Sequence, residues 1–383
     1  MTNGDKINTR TPGKPCILIA PLDWGLGHAT RCIPIIKYLI EQDCHVILAA
    51  SGKPASLLTA EFPKVELLPL PGYGLHYSAS SRLNVLKILS QLPKILISIK
   101  QEHRWLDALV KTRQINMVIS DCRFGLRHKN VFSVLMTHQL AIQSPIKWVK
   151  QQLRAWNYRF INRFNECWVP DEKGFPNLAG EISHPPKLPS IPVKYIGCLS
   201  RFTRLTASPE KEYDAVIILS GPEPQRTILE NKLVKELASN KNALALALIR
   251  GLPDDANSLR IQGVDVFNHL PAIALEKIIH GARLIISRSG YTTVMDMLKL
   301  GKRTVLVPTP GQPEQEYLGR YLSQQQWCAC MRQQDFSLAD ALQLASSFAY
   351  SNPGGLHMES YKEHIGQTIG NLPRVIFAPK LSV

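Results

Sequence analysis

Several short stretches of the chain carry residue types that do chemistry on polar ligands. Gly25-Leu-Gly27-His28 follows an apolar run and opens a helical pattern. Glycines let backbone N–H groups approach a ligand, and a helix N-terminus favours an anion or a polarised oxygen. His28 adds an imidazole, the commonest general base. The spacing lacks the third glycine of a dinucleotide fingerprint, and no acid follows the second strand at the usual place. The same residues also suit a tight turn with a helix-capping histidine.

Ser287-Arg-Ser-Gly-Tyr-Thr-Thr-Val-Met-Asp296 is the longest such stretch. Arg288, Ser289, Gly290, Thr292 and Thr293 gather N–H groups, hydroxyls and a cation at a strand-to-helix turn, which suits a diphosphate. Asp296 lies seven residues past Ser289, so both fall on one helix face. A carboxylate there can accept both hydroxyls of a ribose; alternatively it is a solvated helix residue behind a Ser/Thr cap. Pro308–Glu316 forms a Pro/Gly loop whose Gln312, Glu314, Gln315 and Glu316 offer groups for sugar hydroxyls. Ser220-Gly-Pro-Glu-Pro-Gln-Arg226 is another turn into a helix. Ser220, Gln225 and Arg226 could meet a phosphate there, although prolines leave fewer N–H donors.

Asp121-Cys-Arg123 ends a strand of the first half. Asp121 is a second candidate base and Arg123 a partner for an anionic acceptor, or the two are a strand-end ion-pair element. Tyr73, His76 and Tyr77 sit in a glycine-rich loop and could stack on a sugar. The chain has no D-x-D carboxylate pair. A metal site is therefore not expected, and the charge of a departing phosphate would fall to helix N-termini and cations.

The elements that must hold these residues follow from patterning. Short apolar runs at 16–20, 45–50, 65–70, 115–120, 131–137 and 166–169 alternate with helical segments. A second series begins at 215–219 and continues at 244–249, 264–267, 284–287 and 304–307. Such alternation predicts an α/β protein with parallel sheets covered on both faces. A polar stretch near 200–213 separates the series, so two doubly wound, Rossmann-like domains are expected, 1–205 and 206–383. Ligands of open α/β sheets bind at the carboxyl ends of the strands. Two such domains facing each other across a cleft suit glycosyl transfer, sugar epimerisation or hydrolysis.

The 383 residues are 45 % hydrophobic and 20 % charged, which excludes a disordered chain. Lys plus Arg outnumber Asp plus Glu 45 to 30, a net charge of +15. Nearly all of the excess lies between Arg82 and Arg163. Apolar residues at helical spacing within 83–99 and 146–164, with lysines and arginines around them, make two basic amphipathic helices. Trp156 lies in the second, on the apolar face with Val149, Leu153 and Phe160. Such helices can lie on an anionic membrane, or pack on a core with their basic faces solvated. No nucleic-acid-binding pattern accompanies the charge. The eight cysteines form no C-x-x-C pair, and reduced, buried thiols are expected. No secretory leader or spanning segment is read, so a cytoplasmic location is expected, peripheral to the inner face of the membrane.

Ser287–Tyr317 resembles the C-terminal domain of glycosyltransferase family 28. The S-R-S-G-x-x-T-x-x-D run, the Gly301-Lys-Arg-Thr-Val-Leu-Val-Pro308 segment and a Gln-bearing loop stand in register. The best-known member adds N-acetylglucosamine to the lipid-linked precursor of peptidoglycan. Gly25-x-Gly27-His28 is similar to the glycine-rich loop of that family's N-terminal domain. The resemblance implies the GT-B architecture and a UDP-sugar donor. It puts Asp296 at the uridine ribose and Gln315 and Glu316 at the donor sugar. It puts the backbone of Phe267 and Asn268 at the uracil, and His28 near the acceptor. The family's Gly-Gly-Ser loop is replaced here by Ser220-Gly-Pro-Glu-Pro. The Gly25–Cys32 stretch also resembles the start of a UDP-sugar hydrolase of pseudaminic acid synthesis.

The sequence thus points to a metal-independent, inverting transferase. It would move a sugar, an N-acetylhexosamine by resemblance, from UDP to a lipid-linked or other glycan acceptor. His28 or Asp121 would deprotonate that acceptor. The rivals are a UDP-sugar hydrolase with His28 activating water, and a non-catalytic nucleotide-sugar-binding protein.

Overall fold

The computed structural model describes residues 14–74, 91–144, 147–203, 208–239, 244–253, 255 and 257–372. The first half holds β1 (Cys16–Pro21), α1 (Gly27–Glu41), β2 (His45–Ala50), α2 (Gly52–Glu61) and β3 (Glu66–Pro69). It continues with α3 (Leu92–Thr112), β4 (Met117–Asp121), β5 (Phe132–Met136), α4 (Lys147–Ile161), β6 (Glu166–Val169) and β7 (Val193–Tyr195). The second half holds β8 (Ala215–Ile218), α5 (Gln225–Ala238), β9 (Leu246–Ile249), β10 (Val264–Phe267), α6 (Ala272–His280) and β11 (Ile285–Ser287). Then come α7 (Tyr291–Lys299), β12 (Thr304–Leu306), α8 (Pro313–Gln324), β13 (Ala329–Cys330), α9 (Leu338–Ser347) and α10 (Ser360–Gly370).

The strands form two parallel sheets, in the orders β3-β2-β1-β4-β5-β6-β7 and β10-β9-β8-β11-β12-β13. In each, the first strand of the series lies inside and the chain reverses direction beside it. β1 pairs with β2 and β4, setting Ile19 opposite Leu48 and Ile119. β8 pairs with β9 and β11, setting Ile217 opposite Leu248 and Ile286. All six residues of β1 are buried, as a strand covered by helices on both faces requires. The two switch points, β1/β4 and β8/β11, are where ligands of such sheets bind. The expected pair of doubly wound domains is present, and this is the GT-B arrangement.

The domains share a core. Ile17, Ile19 and Ile36 of the first half belong to one buried cluster with Val294, Met295, Leu306 and Leu318 of the second. Helix α10 belongs to this cluster through Tyr361 and Ile365, and Tyr361 meets Tyr38 of α1 edge-on at 6.2 Å. Beyond the expected division at 205/206 the chain returns, and the last described helix packs on the first domain. Apolar periodicity shows that a helix has a buried face but not which sheet covers it.

The basic helix expected over 83–99 is described only from Leu92, where it runs on to Thr112. Its Ile95 and Ile99 are buried as expected, but Leu96 is 46 % exposed. His76 and Tyr77 lie outside the described residues.

Candidate functional site

The carboxyl ends of β1, β4 and β5 bring His28, Asp121 and His138 together. His28 lies in the first turn of α1 and Arg31 one turn later, on the same face. His28 Nδ1 is 3.0 Å from Asp121 Oδ2. Arg31 Nε donates to Asp121 Oδ2 at 2.8 Å, and Arg31 Nη2 donates to Asp121 Oδ1. Asp121 is fully buried, while His28 keeps a partly exposed edge of 17 %. Burial works against the Asp121 charge, yet Arg31 and His28 hold its carboxyl well below the usual range. Burial likewise opposes the Arg31 charge, and Asp121 outweighs it, raising the guanidinium above its ordinary value.

A buried, ionised carboxylate behind a surface-facing imidazole orients the ring and stabilises the imidazolium that proton uptake creates. This bears on the two candidate bases. Asp121 is shut off from any acceptor and bonded on both oxygens; His28 is the group that faces outward. The chain turns sharply just past Asp121, with φ +59° at Cys122.

His28, Asp121 and Cys122 also place ligand-type atoms within 4.8 Å of one another. Arg31 Nη2 reaches all three, at 3.0 Å from His28 Nδ1 and 3.4 Å from Cys122 Sγ. Burial pushes the Cys122 thiol up to about 12. A divalent cation would have to displace a buried arginine and take a neutral thiol, so these residues do not fit a metal.

The two signature motifs meet across the domain interface. Thr292 Oγ1, in the first turn of α7, donates to the Gly27 carbonyl at 3.0 Å. A Cβ on Gly27 would lie 3.3 Å from that hydroxyl, a tight contact to which Thr292 would have to yield by a few tenths of an ångström. The Ser289 hydroxyl donates to the Gln315 carbonyl, joining the α7 turn to the 308–316 loop. Gln315 Oε1 accepts from Thr309 N at 2.9 Å, its Nε2 donates to Gln312, and Glu316 accepts from Gly311 N. Gly290 caps α7 with extended backbone and no side-chain cap, leaving N–H groups of the first turn to a ligand or to water. Thr293 follows in the same turn, half-buried. Arg288 is 1 % exposed and donates to the carbonyls of Val307, Pro308 and Gln225. Burial lowers its guanidinium to about 10. Among the described residues no carboxylate pairs with this buried cation, which lies in the turn between β11 and α7.

Other expected ligand groups are committed within the fold. Asp296 is 4 % exposed, its Oδ1 takes the Ser200 hydroxyl at 2.5 Å, and Arg201 lies 3.8 Å from Oδ2. A ribose diol would have to displace Ser200, which joins the two sheets. Arg226 is ion-paired with Glu223 and Glu230, and Gln225 is bonded to Gln333. In that turn Gly221 has φ +100° and lies beside the Thr309 hydroxyl, and Ser220 before it is half-buried. The carbonyls of Phe267 and Asn268 accept from Arg250 N and Leu252 N, and the Asn268 side chain bridges Arg250 to the carbonyls of Asp255 and Asn257.

Arg123 is also corrected. It is fully buried, paired with Glu102 at 2.9 Å and bonded to the carbonyls of Pro21 and Pro71. Tyr73 is 3 % exposed and donates to the same Glu102. Neither can meet an acceptor; together they brace the loop after β3 against α3.

Arg31, His138 and Ser200 escaped the sequence reading. The three-residue step from His28 to Arg31 was the available signal for one of them. The loop after β1 also borders a cleft of about 310 Å3, lined by Asp23, Gly25, Ser51, Gly52, Lys53 and Pro54. Helices α3 and α4 pack side by side through Ile95, Ile99, Trp156 and Phe160, against Leu22 of that loop. Among the described residues no helix is long and apolar enough to cross a membrane.

Residues 224–352 match the glycosyltransferase family 28 C-terminal domain. No curated protein matches the chain. Among solved structures, the glycotransferase of kitacinnamycin superposes with a TM-score of 0.65 at 16 % identity, covering 95 % of this chain and 100 % of that one. The glycosyltransferase SnogD from Streptomyces nogalater gives 0.54 at 12 % identity, covering 95 % and 96 %. MurG of Acinetobacter baumannii gives 0.52 at 15 % identity, covering 94 % and 100 %. These likenesses share the two-domain architecture just described. Residues 224–352 are thus similar to the glycosyltransferase family 28 C-terminal domain, and the two sheets together take the GT-B fold.

Proposed function

We propose that the protein transfers a sugar from a UDP-sugar, an N-acetylhexosamine by resemblance, to a hydroxyl of a lipid-linked or other glycan acceptor. The reaction inverts the anomeric centre and uses no metal. The observation that carries this reading is the His28–Asp121 pair, set beside the family 28 turn through the Gly27–Thr292 hydrogen bond.

In the tautomer that serves as base, His28 Nδ1–H faces Asp121 Oδ2 while Arg31 Nη2 gives its protons to Asp121 Oδ1 and Cys122 Sγ, which leaves the Nε2 lone pair for the acceptor proton. As that proton moves to Nε2, the acceptor oxygen forms its bond to the anomeric carbon. The bond from that carbon to the phosphate oxygen breaks on the opposite side, and its electron pair leaves with UDP. The charge arriving there suits the N-terminus of α7 and the uncompensated Arg288 cation beneath it. Gln312, Gln315 and Glu316 lie on the adjacent loop, in reach of donor hydroxyls.

The acceptor side suits a membrane. Leu96, Ile97 and Trp148 are exposed, at 46, 58 and 67 %, on the adjoining helices α3 and α4. Lys94, Lys100, Arg104, Arg154 and Arg159 stand on the same two helices. Apolar side chains ringed by cations fit an anionic lipid surface bearing the acceptor.

The test is thermal unfolding with UDP, GDP or TDP for wild type and His28→Ala, followed by UDP release from UDP-N-acetylglucosamine with and without a lipid-linked glycan acceptor. A ligand at 100 times its Kd stabilises by about 2.7 kcal/mol, an easily read shift. A UDP-selective shift in both chains, with release lost only in the variant, is the expected result. No shift with any nucleotide overturns the reading. Release at turnover rate with water alone replaces the transferase by a hydrolase.

A further inference from the structure

Glu314, at the start of α8, is held from the opposite domain. His138 Nε2 lies 2.8 Å from its Oε1, and Gln139 Nε2 donates to its Oε2. His138 follows β5 directly and its side chain is 5 % exposed. The ring stacks on Tyr291 with centroids 4.2 Å apart, and the Tyr291 hydroxyl is anchored on the Pro170 carbonyl.

The neighbours of His138 leave it one protonation state. Arg31 Nη1 is 3.2 Å from Nδ1, and a guanidinium only donates, so Nδ1 accepts. An ionised carboxylate only accepts, so Nε2 carries the proton and gives it to Glu314. Burial lowers the basicity of His138, Glu314 works against that, and Arg31 and His28 reinforce it. Burial raises the Glu314 carboxyl, but His138, His28 and Arg31 together bring it below its ordinary value. An imidazolium would aim an N–H at the arginine N–H.

We infer that His138 is a positioning residue: through its Nε2–H it holds Glu314, and with it the Gln312–Glu316 loop, in register with the Arg31–Asp121–His28 cluster. The inference rests on reading that loop as the donor-sugar site. One side of His138 is tied to the cluster that orients His28. The other is tied to the residue directly before Gln315.

Two conservative variants separate the two halves of the bridge. His138→Gln puts an amide N–H near the Nε2 position and keeps the bond to Glu314. His138→Asn puts an amide oxygen near the Nδ1 position and keeps only the bond from Arg31. Glu314→Ala, at a partly exposed position, removes the acceptor and breaks the bridge from the other side.

Affinities for UDP and for UDP-N-acetylglucosamine are measured by calorimetry for wild type and all three variants. The expected result is UDP affinity kept within about three-fold throughout. The extra affinity contributed by the sugar is kept in His138→Gln. It falls about ten-fold or more in His138→Asn and Glu314→Ala, the scale of one hydrogen bond to a charged group. Equal losses in His138→Gln and His138→Asn, or no loss in either, overturn the inference and leave the nucleotide reading standing. So does a wild type that binds UDP-N-acetylglucosamine no tighter than UDP. A wild type that binds neither overturns both.

Discussion

The Thr292 hydroxyl and the Gly27 carbonyl are 3.0 Å apart, and they join the two glycine-bearing turns of the molecule. Gly27 is thus shared: its carbonyl also accepts from Thr30 Oγ1 at 2.9 Å. Thr292→Val keeps the shape and removes one donor, while Thr30 still satisfies the oxygen. The expected cost is about 0.5–1 kcal/mol in urea unfolding, the net worth of one hydrogen bond. A loss several times larger would mean that the domains depend on this contact to stay associated.

His28 and Asp121 should separate in their effects. His28→Ala removes a partly exposed side chain and should abolish transfer with little change in stability. Asp121→Asn leaves the buried Arg31 without its counter-ion, and breaking such a pair costs about 3–5 kcal/mol. The pH dependence has a definite sign. The Asp121 carboxyl is depressed in the fold relative to its ordinary 3.8. Its contribution is therefore complete above about pH 4 and is lost only as the pH falls through the folded value. Wild type should lose stability faster than Asp121→Asn below pH 4. Parallel acid unfolding curves would refute this.

Asp296 should show the opposite sign. Burial raises its carboxyl to about 6, against Arg201 and Ser200. The folded chain binds a proton there that the unfolded chain releases near 3.8, so stability falls as the pH rises from about 4 to 6. Asp296→Asn keeps an acceptor for the Ser200 hydroxyl and removes the buried charge. It should be neutral near pH 4 and stabilising at pH 7.5, by an amount on the order of 2–3 kcal/mol. A variant less stable at pH 7.5 would show that the Arg201 attraction exceeds the cost of burial.

Much of the scaffold was legible because its strands are short continuous apolar runs. His45–Ala50, Glu166–Val169 and Val264–Phe267 match their observed limits. The turns that follow such strands were legible too, since glycine, histidine and hydroxyl residues cluster there. What was hidden is the partner each polar residue takes from afar. Asp121 and Arg123 are two residues apart, yet one backs His28 while the other is sealed against Glu102 of α3. Arg226 looks like a phosphate ligand in sequence, but Glu230 lies one helical turn away and takes it. The His138–Glu314 pair spans 176 positions and has no local pattern.

Tyr73 offers a check on one of these reassignments. Its hydroxyl donates to Glu102 at 3.0 Å inside the protein, and Arg123 and Gly125 N share that carboxylate. Tyr73→Phe should cost about 1 kcal/mol of stability and leave KM for donor and acceptor unchanged. A raised acceptor KM with unchanged stability would restore the sugar-stacking role expected from the glycine-rich loop.

The exposed face of α3 and α4 makes a prediction that does not depend on the donor. Leu96, Ile97 and Trp148 are largely exposed, and replacing Ile97 and Trp148 should not disturb the Ile95, Ile99, Trp156 and Phe160 contact beneath. Wild type should sediment with vesicles containing phosphatidylglycerol and not with pure phosphatidylcholine. Binding should weaken with salt, because exposed charges are screened over about 10 Å at 0.1 M. Ile97→Glu with Trp148→Glu should leave the unfolding midpoint within about 0.5 kcal/mol, as surface changes do. The same double variant should release the protein from the anionic vesicles by removing apolar insertion and adding negative charge. Vesicle binding that survives it would move the contact elsewhere. Equal binding to neutral vesicles would remove the basic residues from the account and leave only the apolar side chains.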